Sequence, residues 1–141
     1  MRLAILAAVL MTKAFGQVVV TDTGSTNRMG MSITMGSRGH ALIENRAGTK
    51  VKMKLASQLH TRLMKDLEAA GPLDRLQVQH CAKSISFGSS TFITYKGVRS
   101  PDLSCSGQAD PVAAALQKDL EEIMTAAHVL VPVASRRPPP R

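Results

Sequence analysis

Several groups of residues in this chain have types and spacings that could do chemistry. The first is Asp22-Thr23-Gly24-Ser25, placed directly after Val18-Val19-Val20-Thr21. An apolar run ending in Asp-Thr-Gly is the setting of a carboxylate that shares one proton with a second carboxylate and hydrolyses peptides. A single-lobe enzyme of that kind also needs an apolar-apolar-Gly segment later in the chain, and Ile85-Ser86-Phe87-Gly88 imitates it poorly. Gly24-Ser25-Thr26-Asn27 is equally well explained as a hairpin turn. The second group is histidine: His40, His60, His80 and His128 are scattered, and no pair has the i, i+4 spacing of a zinc site. Serines 84, 86, 89 and 90 surround Phe87-Gly88 without a Gly-x-Ser-x-Gly elbow. Glu121-Glu122 and Asp66/Glu68 fall on helix surfaces and do not form an acid–base pair. No catalytic residue, metal ligand or cofactor is therefore assigned.

The elements that would position these residues follow from periodicity. Val18–Asp22 is β-branched and extended, Met31–Met35 alternates apolar and polar, and Ala41–Glu44 is a third short strand. Lys50-Val51-Lys52-Met53-Lys54-Leu55 alternates strictly, with three lysines on one face. A lysine-lined strand of this kind protects a sheet edge from pairing with another chain. The period then lengthens. Leu55, Leu59, Leu63 and Leu67 recur every four residues, which predicts a helix over 56–70, with Ser57 as its cap and Arg62 and Asp66 paired one turn apart. Gly71-Pro72 ends it. A short strand is expected over 76–79 and a stronger one over 91–95. Asp110-Pro111 starts a second helix, with Leu116, Leu120, Ile123 and Met124 as its buried stripe. That helix is expected to fade near Ala127, leaving 128–133 as an extended apolar arm. The fold class is thus α+β: an antiparallel β-meander with two amphipathic helices packed on one face.

The N-terminus reads as an export signal. Arg2 gives a positive start, Leu3–Met11 is unbroken apolar sequence, and Ala14-Phe15-Gly16 is a small-x-small cleavage site. The apolar run is about half the roughly 20 residues a membrane-spanning helix needs. Residues 1–16 are therefore assigned as a signal peptide, 17–134 as one α+β domain, and 135–141 as a disordered basic, Pro-rich tail. The protein is expected to be secreted or periplasmic, with no transmembrane segment after signal removal.

Compartment governs the cysteines. Cys81 and Cys105 stand alone, without Cys-x-x-Cys or haem-attachment spacing, and an isolated pair in an exported chain reads as a disulfide. The formal charge of +8 comes from 18 basic and 10 acidic residues. Five of the basic residues, Arg2, Lys13, Arg136, Arg137 and Arg141, lie in the signal and the tail, so the body carries only +3. With three Phe, one Tyr and no Trp, base-stacking platforms are lacking, and no nucleic-acid partner is expected.

His80-Cys81-Ala82-Lys83-Ser84-Ile85-Ser86-Phe87-Gly88-Ser89-Ser90-Thr91 and Ser100-Pro101-Asp102-Leu103-Ser104-Cys105 resemble a family of small exported bacterial proteins of unknown function. Val20–Thr26 and Ala69–Leu73 fit the same picture. That resemblance implies export and a structural cystine. The order of elements is also loosely similar, in layout alone, to emfourin-type protease inhibitors.

These observations point to an exported, non-enzymatic binding module, with protease inhibition as one form its action could take and an unknown protein or envelope component as its partner. The alternatives are a structural or envelope-associated protein and an aspartic-protease-like hydrolase using Asp22. Loops on a rigid sheet usually carry recognition. The candidate contact residues are Ser25, Thr26, Asn27 and Arg28 in one polar loop, and Arg99, Asp102 and Ser104 in another. N-terminal sequencing of exported material should find Gln17 as the first residue; a mature form retaining 1–16 would overturn the export assignment.

Overall fold

The computed structural model describes residues 16–86 and 88–131. The assigned signal peptide, apart from Gly16, and the tail 135–141 lie outside them. Six strands and two long helices alternate in the order β1 (Val18–Ser25), β2 (Arg28–Met35), β3 (His40–Asn45), β4 (Lys50–Lys54), α1 (Ser57–Ala70), β5 (Thr91–Tyr95), β6 (Val98–Arg99) and α2 (Pro111–Leu130). All neighbouring strands are antiparallel, in the order β4-β3-β2-β1-β5-β6. The expected α+β architecture is present: a meander whose first strand receives β5 on its free side.

The register builds the core. Val20 faces Ile33 on one side and Ile93 on the other, Ile33 faces Ile43, and Ile43 faces Val51. This row and the parallel one containing Val18, Met35, Ala41, Met53 and Tyr95 are largely sealed from solvent. Leu63 and Leu67 of α1 and Leu116, Leu120 and Ile123 of α2 complete the same apolar cluster. The opposite face of the sheet is mostly polar, carrying Thr21, Ser32, Thr34, Glu44 and the lysines beside Val19, Leu42 and Phe92. β4 sits at the edge, with Lys50, Lys52 and Lys54 exposed.

Several local expectations give way to tertiary contacts. α1 is preceded by Ala56, with no side-chain cap, and Ser57 is its first residue. The chain reaches α1 directly from β4, where Leu55 N–H donates to the Gly39 carbonyl. Arg62 pairs with Asp119 and Glu122 of α2 instead of Asp66. Residues 76–79 form no strand; Gln79 N–H is taken by the Gln108 side chain. α2 does not fade at Ala127 but continues to Leu130, so His128–Leu130 of the expected 128–133 arm are a last helical turn and Val131 is buried, while 132–133 lie outside the described residues. Pro132 supplies the stop, because it disfavours the α conformation at the residue before it. The Asp110 cap and Pro111 at the first position are as expected, with Asp110 accepting from Val112 and Ala113 N–H. Among the described residues no helix is long and apolar enough to cross a membrane.

Cys81 and Cys105 are joined, with Cα atoms 5.7 Å apart. Such a bond suits an oxidising compartment. The bridged positions are 24 apart in sequence, and closing a loop of that size contributes about 3.5 kcal/mol in the chain-entropy picture. Cys105→Ala should lower the unfolding free energy by about that amount in urea titrations under oxidising conditions. An unchanged midpoint would show that the neighbouring ionic contacts hold the loop without it.

Candidate contact site at the hairpin tip

The β1–β2 hairpin ends in a turn at Thr26-Asn27. Only this tip is a turn; Arg28 already belongs to β2, and Ser25 closes β1. Gly24 has φ of 67°, and a Cβ there would run into the Arg28 carbonyl and the Gly30 amide, so only glycine permits this hairpin's close approach.

Against the tip lies the segment between Cys81 and Ser90. Thr23 N–H donates to Ser90 O at 3.0 Å, and Ser90 N–H donates back to Thr23 Oγ1 at 3.0 Å. Ser86 O accepts from Asn27 N–H at 3.1 Å and from Ser25 Oγ at 2.7 Å, while Ile85 O accepts from Thr26 Oγ1. Gly88 N–H reaches Ser84 O at 2.7 Å and closes the turn. The main chain is thus fastened at Ile85, Ser86, Gly88 and Ser90, while the Ile85 side chain, 88% exposed, points away from the protein.

The base of this loop is held by charge. The Lys83 ammonium donates to the Asp102 carboxylate, to Ser104 Oγ and to Ser90 Oγ. Asp102 Oδ1 also accepts from Thr91 N–H, Ser104 N–H and Ser104 Oγ. Burial alone would raise the Asp102 pKa, but Lys83, the Ser104 hydroxyl and the two backbone N–H groups together hold it well below the usual carboxylate range. A Ser–Lys pair is also a nucleophile–base arrangement. Here Lys83 is engaged at once by Asp102, Ser104 and Ser90, contacts that tie the base of the loop together.

Asp22 faces inward, in the row with Met31 and Thr91. Its side chain is 1% exposed. Oδ1 accepts from Gly24 N–H at 2.9 Å and Oδ2 from Arg28 Nη2 at 2.9 Å. The same Nη2 lies 3.1 Å from His128 Nε2 on the last turn of α2. A guanidinium only donates, so His128 Nε2 is the acceptor and the imidazole is neutral. Burial, and then the Arg28 charge, hold the His128 pKa below its ordinary value, while Asp22 opposes them. Between the hairpin and α2, Asp22 and Arg28 border a cavity of about 170 Å³, which Ser89, Ser104 and Glu121 also line.

The structure thus brings six of the seven expected contact residues to one end of the sheet: Ser25, Thr26, Asn27, Arg28, Asp102 and Ser104. Arg99 is separate, with its guanidinium stacked 3.8 Å from the Phe92 ring centroid. Lys83, Ile85 and His128 belong to this end as well, though the sequence raised Ile85 only within a poor apolar-apolar-Gly match and His128 only among scattered histidines. The only local signal for Lys83 was its place two residues after a half-cystine. Among the described residues no three metal-ligating side chains converge. Comparison with protein-family models, with curated proteins and with solved structures finds no match.

The His128 contact predicts a pH effect. A base whose pKa is lowered on folding adds stability above its unfolded value, about 6.5, and that stability is lost as pH falls. His128→Gln keeps an acceptor for Arg28 and cannot be protonated. Its urea midpoint relative to wild type should therefore rise as pH falls from about 7.5 to about 5.5; a difference independent of pH would count against a neutral His128 in the fold.

Proposed function

We propose that this protein is an exported, non-enzymatic binding module that recognises a protein partner through Ser84–Ser86 and the adjoining hairpin tip, with Ile85 as the anchor. One observation carries the reading: a large aliphatic side chain stands almost fully in water on a segment that is tied to its surroundings by a disulfide at Cys81, an ion pair at Lys83 and five hydrogen bonds at Ile85, Ser86 and Ser90. Burying an isoleucine in a partner's pocket is worth about 1.5–3 kcal/mol. A loop already in its bound form avoids the ordering cost of association. Thr26 and Asn27, which bond to the Ile85 and Ser86 carbonyls, and the flanking Ser84 and Ser86 are uncharged polar neighbours of the anchor.

Export rests on the N-terminal sequence, and the disulfide agrees with it. The engagement of both Asp22 oxygens by a backbone N–H and a guanidinium favours architecture over proteolysis at that residue. Protease inhibition is a specific form of the same reading. An inhibitor that mimics substrate offers an extended main chain, whereas here the Ile85 and Ser86 carbonyls already bond to the hairpin. The side chain is what is offered.

Ile85→Asp should abolish capture of the partner from an extracytoplasmic fraction, and Ile85→Ala should weaken it by roughly tenfold or more. Thermal unfolding should be unchanged in both, because Ile85 packs against nothing. Full capture by Ile85→Asp would refute the assignment. Assay of the wild type against proteases with aliphatic-selective pockets separates inhibition from other binding.

A further inference from the structure

Both helices pack on one face of the sheet, and the other face is left open. On that face the register lines up Lys52, Leu42, Thr34, Val19, Thr94 and Arg99 in a row across all six strands. Lys50, Glu44, Ser32, Thr21 and Phe92 form the next row. Charge is sorted between the two sides of the protein. Lys50, Lys52, Lys54 and Arg99 lie in the open rows against Glu44 alone, whereas α1 and α2 together hold three cations and five acids. The small net charge of the body thus conceals a cationic side. Glu44 offsets little of it, since Lys50 Nζ comes only within 4.0 Å of its Oε1 and both side chains are exposed. Lys54 Nζ meets the His40 ring at 3.4 Å, and Arg99 lies over Phe92. Among the described residues neither cation, nor Lys52, has a carboxylate at ion-pair distance.

The same face is hollowed beside β1 and β2. Gly30 leaves the main chain bare there, because a Cβ would run into the Asp22 carbonyl and the Thr23 main chain. A cleft of about 340 Å³ lies over it, with Thr21, Thr23, Ser32, Glu44 and Arg46 along its walls. Hydroxyls donate and accept, a carboxylate accepts, and a guanidinium donates. Arg46 gives Nη2 to the Thr23 carbonyl at 3.2 Å and keeps its other donors for a ligand. Donors and acceptors side by side suit a hydroxyl-rich ligand, and the flanking cations suit one that carries acidic groups.

We propose that the open sheet face binds an acidic polysaccharide, with sugar hydroxyls in the cleft at Thr21, Ser32 and Glu44 and the acidic groups of the polymer on Lys50, Lys52, Lys54 and Arg99. The row from Lys52 to Arg99 crosses five strand spacings, about 24 Å, which suits an extended polymer rather than a single small anion. An anionic membrane fits less well. Glu44 would face its headgroups, and Leu42 is the one large apolar side chain of this face that is exposed. Nucleic acid would lack its stacking platform, because Arg99 covers the Phe92 ring.

The test is binding of the full mature chain to immobilised polygalacturonate and heparin in about 50 mM salt, with neutral dextran as the blank and phosphatidylglycerol vesicles as the membrane arm. Lys50→Gln/Lys52→Gln/Lys54→Gln removes three charges from the face. Arg136→Gln/Arg137→Gln/Arg141→Gln removes three from the C-terminal segment and is the equal-charge control. The first should weaken binding to the acidic glycans by about tenfold or more, and the second by less than about threefold. Arg99→Gln, at the far end of the row, should weaken it by about threefold and keeps the test decisive if the β4 variant self-associates. Glu44→Ala raises the net charge but removes an acceptor, so it should also weaken glycan binding, by about threefold or more. Circular dichroism should be that of wild type in every variant used. Equal loss in the two triple variants would overturn the proposal. So would tighter glycan binding by Glu44→Ala, stronger binding to the vesicles than to either glycan, or no binding of wild type to either glycan.

Discussion

The Asp102 carboxylate is the contact on which the hairpin end of this protein depends. It receives the N–H that opens β5, the N–H and hydroxyl of Ser104, and the ammonium of Lys83. Those partners lie on three stretches of chain distant in sequence: the segment after α1, the first residue of β5, and the strap leading to α2. A partly buried carboxylate is tolerable only when its acceptor capacity is filled. Here it is filled by groups drawn from all three, so satisfying the charge and assembling the loops are one event. The disulfide lies two residues from Lys83 and three from Asp102 and closes the same ring covalently.

This arrangement solves a topological difficulty. β1 is the first strand, yet it ends up with neighbours on both sides, one of them separated from it by about 70 residues. The return of β5 is secured beyond its own ladder. Ser100 donates its N–H to Ile93 O and accepts Ile93 N–H on Oγ, and Leu103 N–H donates to Thr91 O. The strap thereby continues the sheet's hydrogen bonding where β6 has already stopped. Gln117 then ties α2 to the same strap through the Cys105 carbonyl at 2.6 Å. Side-chain hydrogen bonds substitute for strand pairing where the chain must turn toward a helix.

Buried polar groups set the chemistry of the interior. Asp22, Ser100, Gln117 and Asp119 are all nearly inaccessible. The first three have their partners in the backbone or in one arginine. Asp119 alone keeps an oxygen without a hydrogen-bond donor among the described residues. Burial thus acts in opposite senses on two groups of α2, pushing the His128 pKa down and that of Asp119 up.

Much of the architecture was legible in the chain. Period-two alternation marked the meander and its lysine edge, leucines every four residues marked α1, and Asp110-Pro111 marked the start of α2, because each of these patterns reflects which face of a local element meets water. The isolated cysteine pair was legible for a similar reason, since nothing else in the chain could use two thiols. The pairings that make the site were not. Arg62 had an apparent partner four residues away in Asp66 but found Asp119, 57 residues on, and Arg28 meets His128 across 100 residues. Ile85 carried no signal as an anchor, because an isoleucine in a polar stretch looks the same whether it is buried or presented. Local periodicity reports burial along one element. Which charges meet, and which apolar side chain is left in water, is decided when helices dock on a sheet and desolvation makes each buried charge find a counterpart from a distant part of the chain.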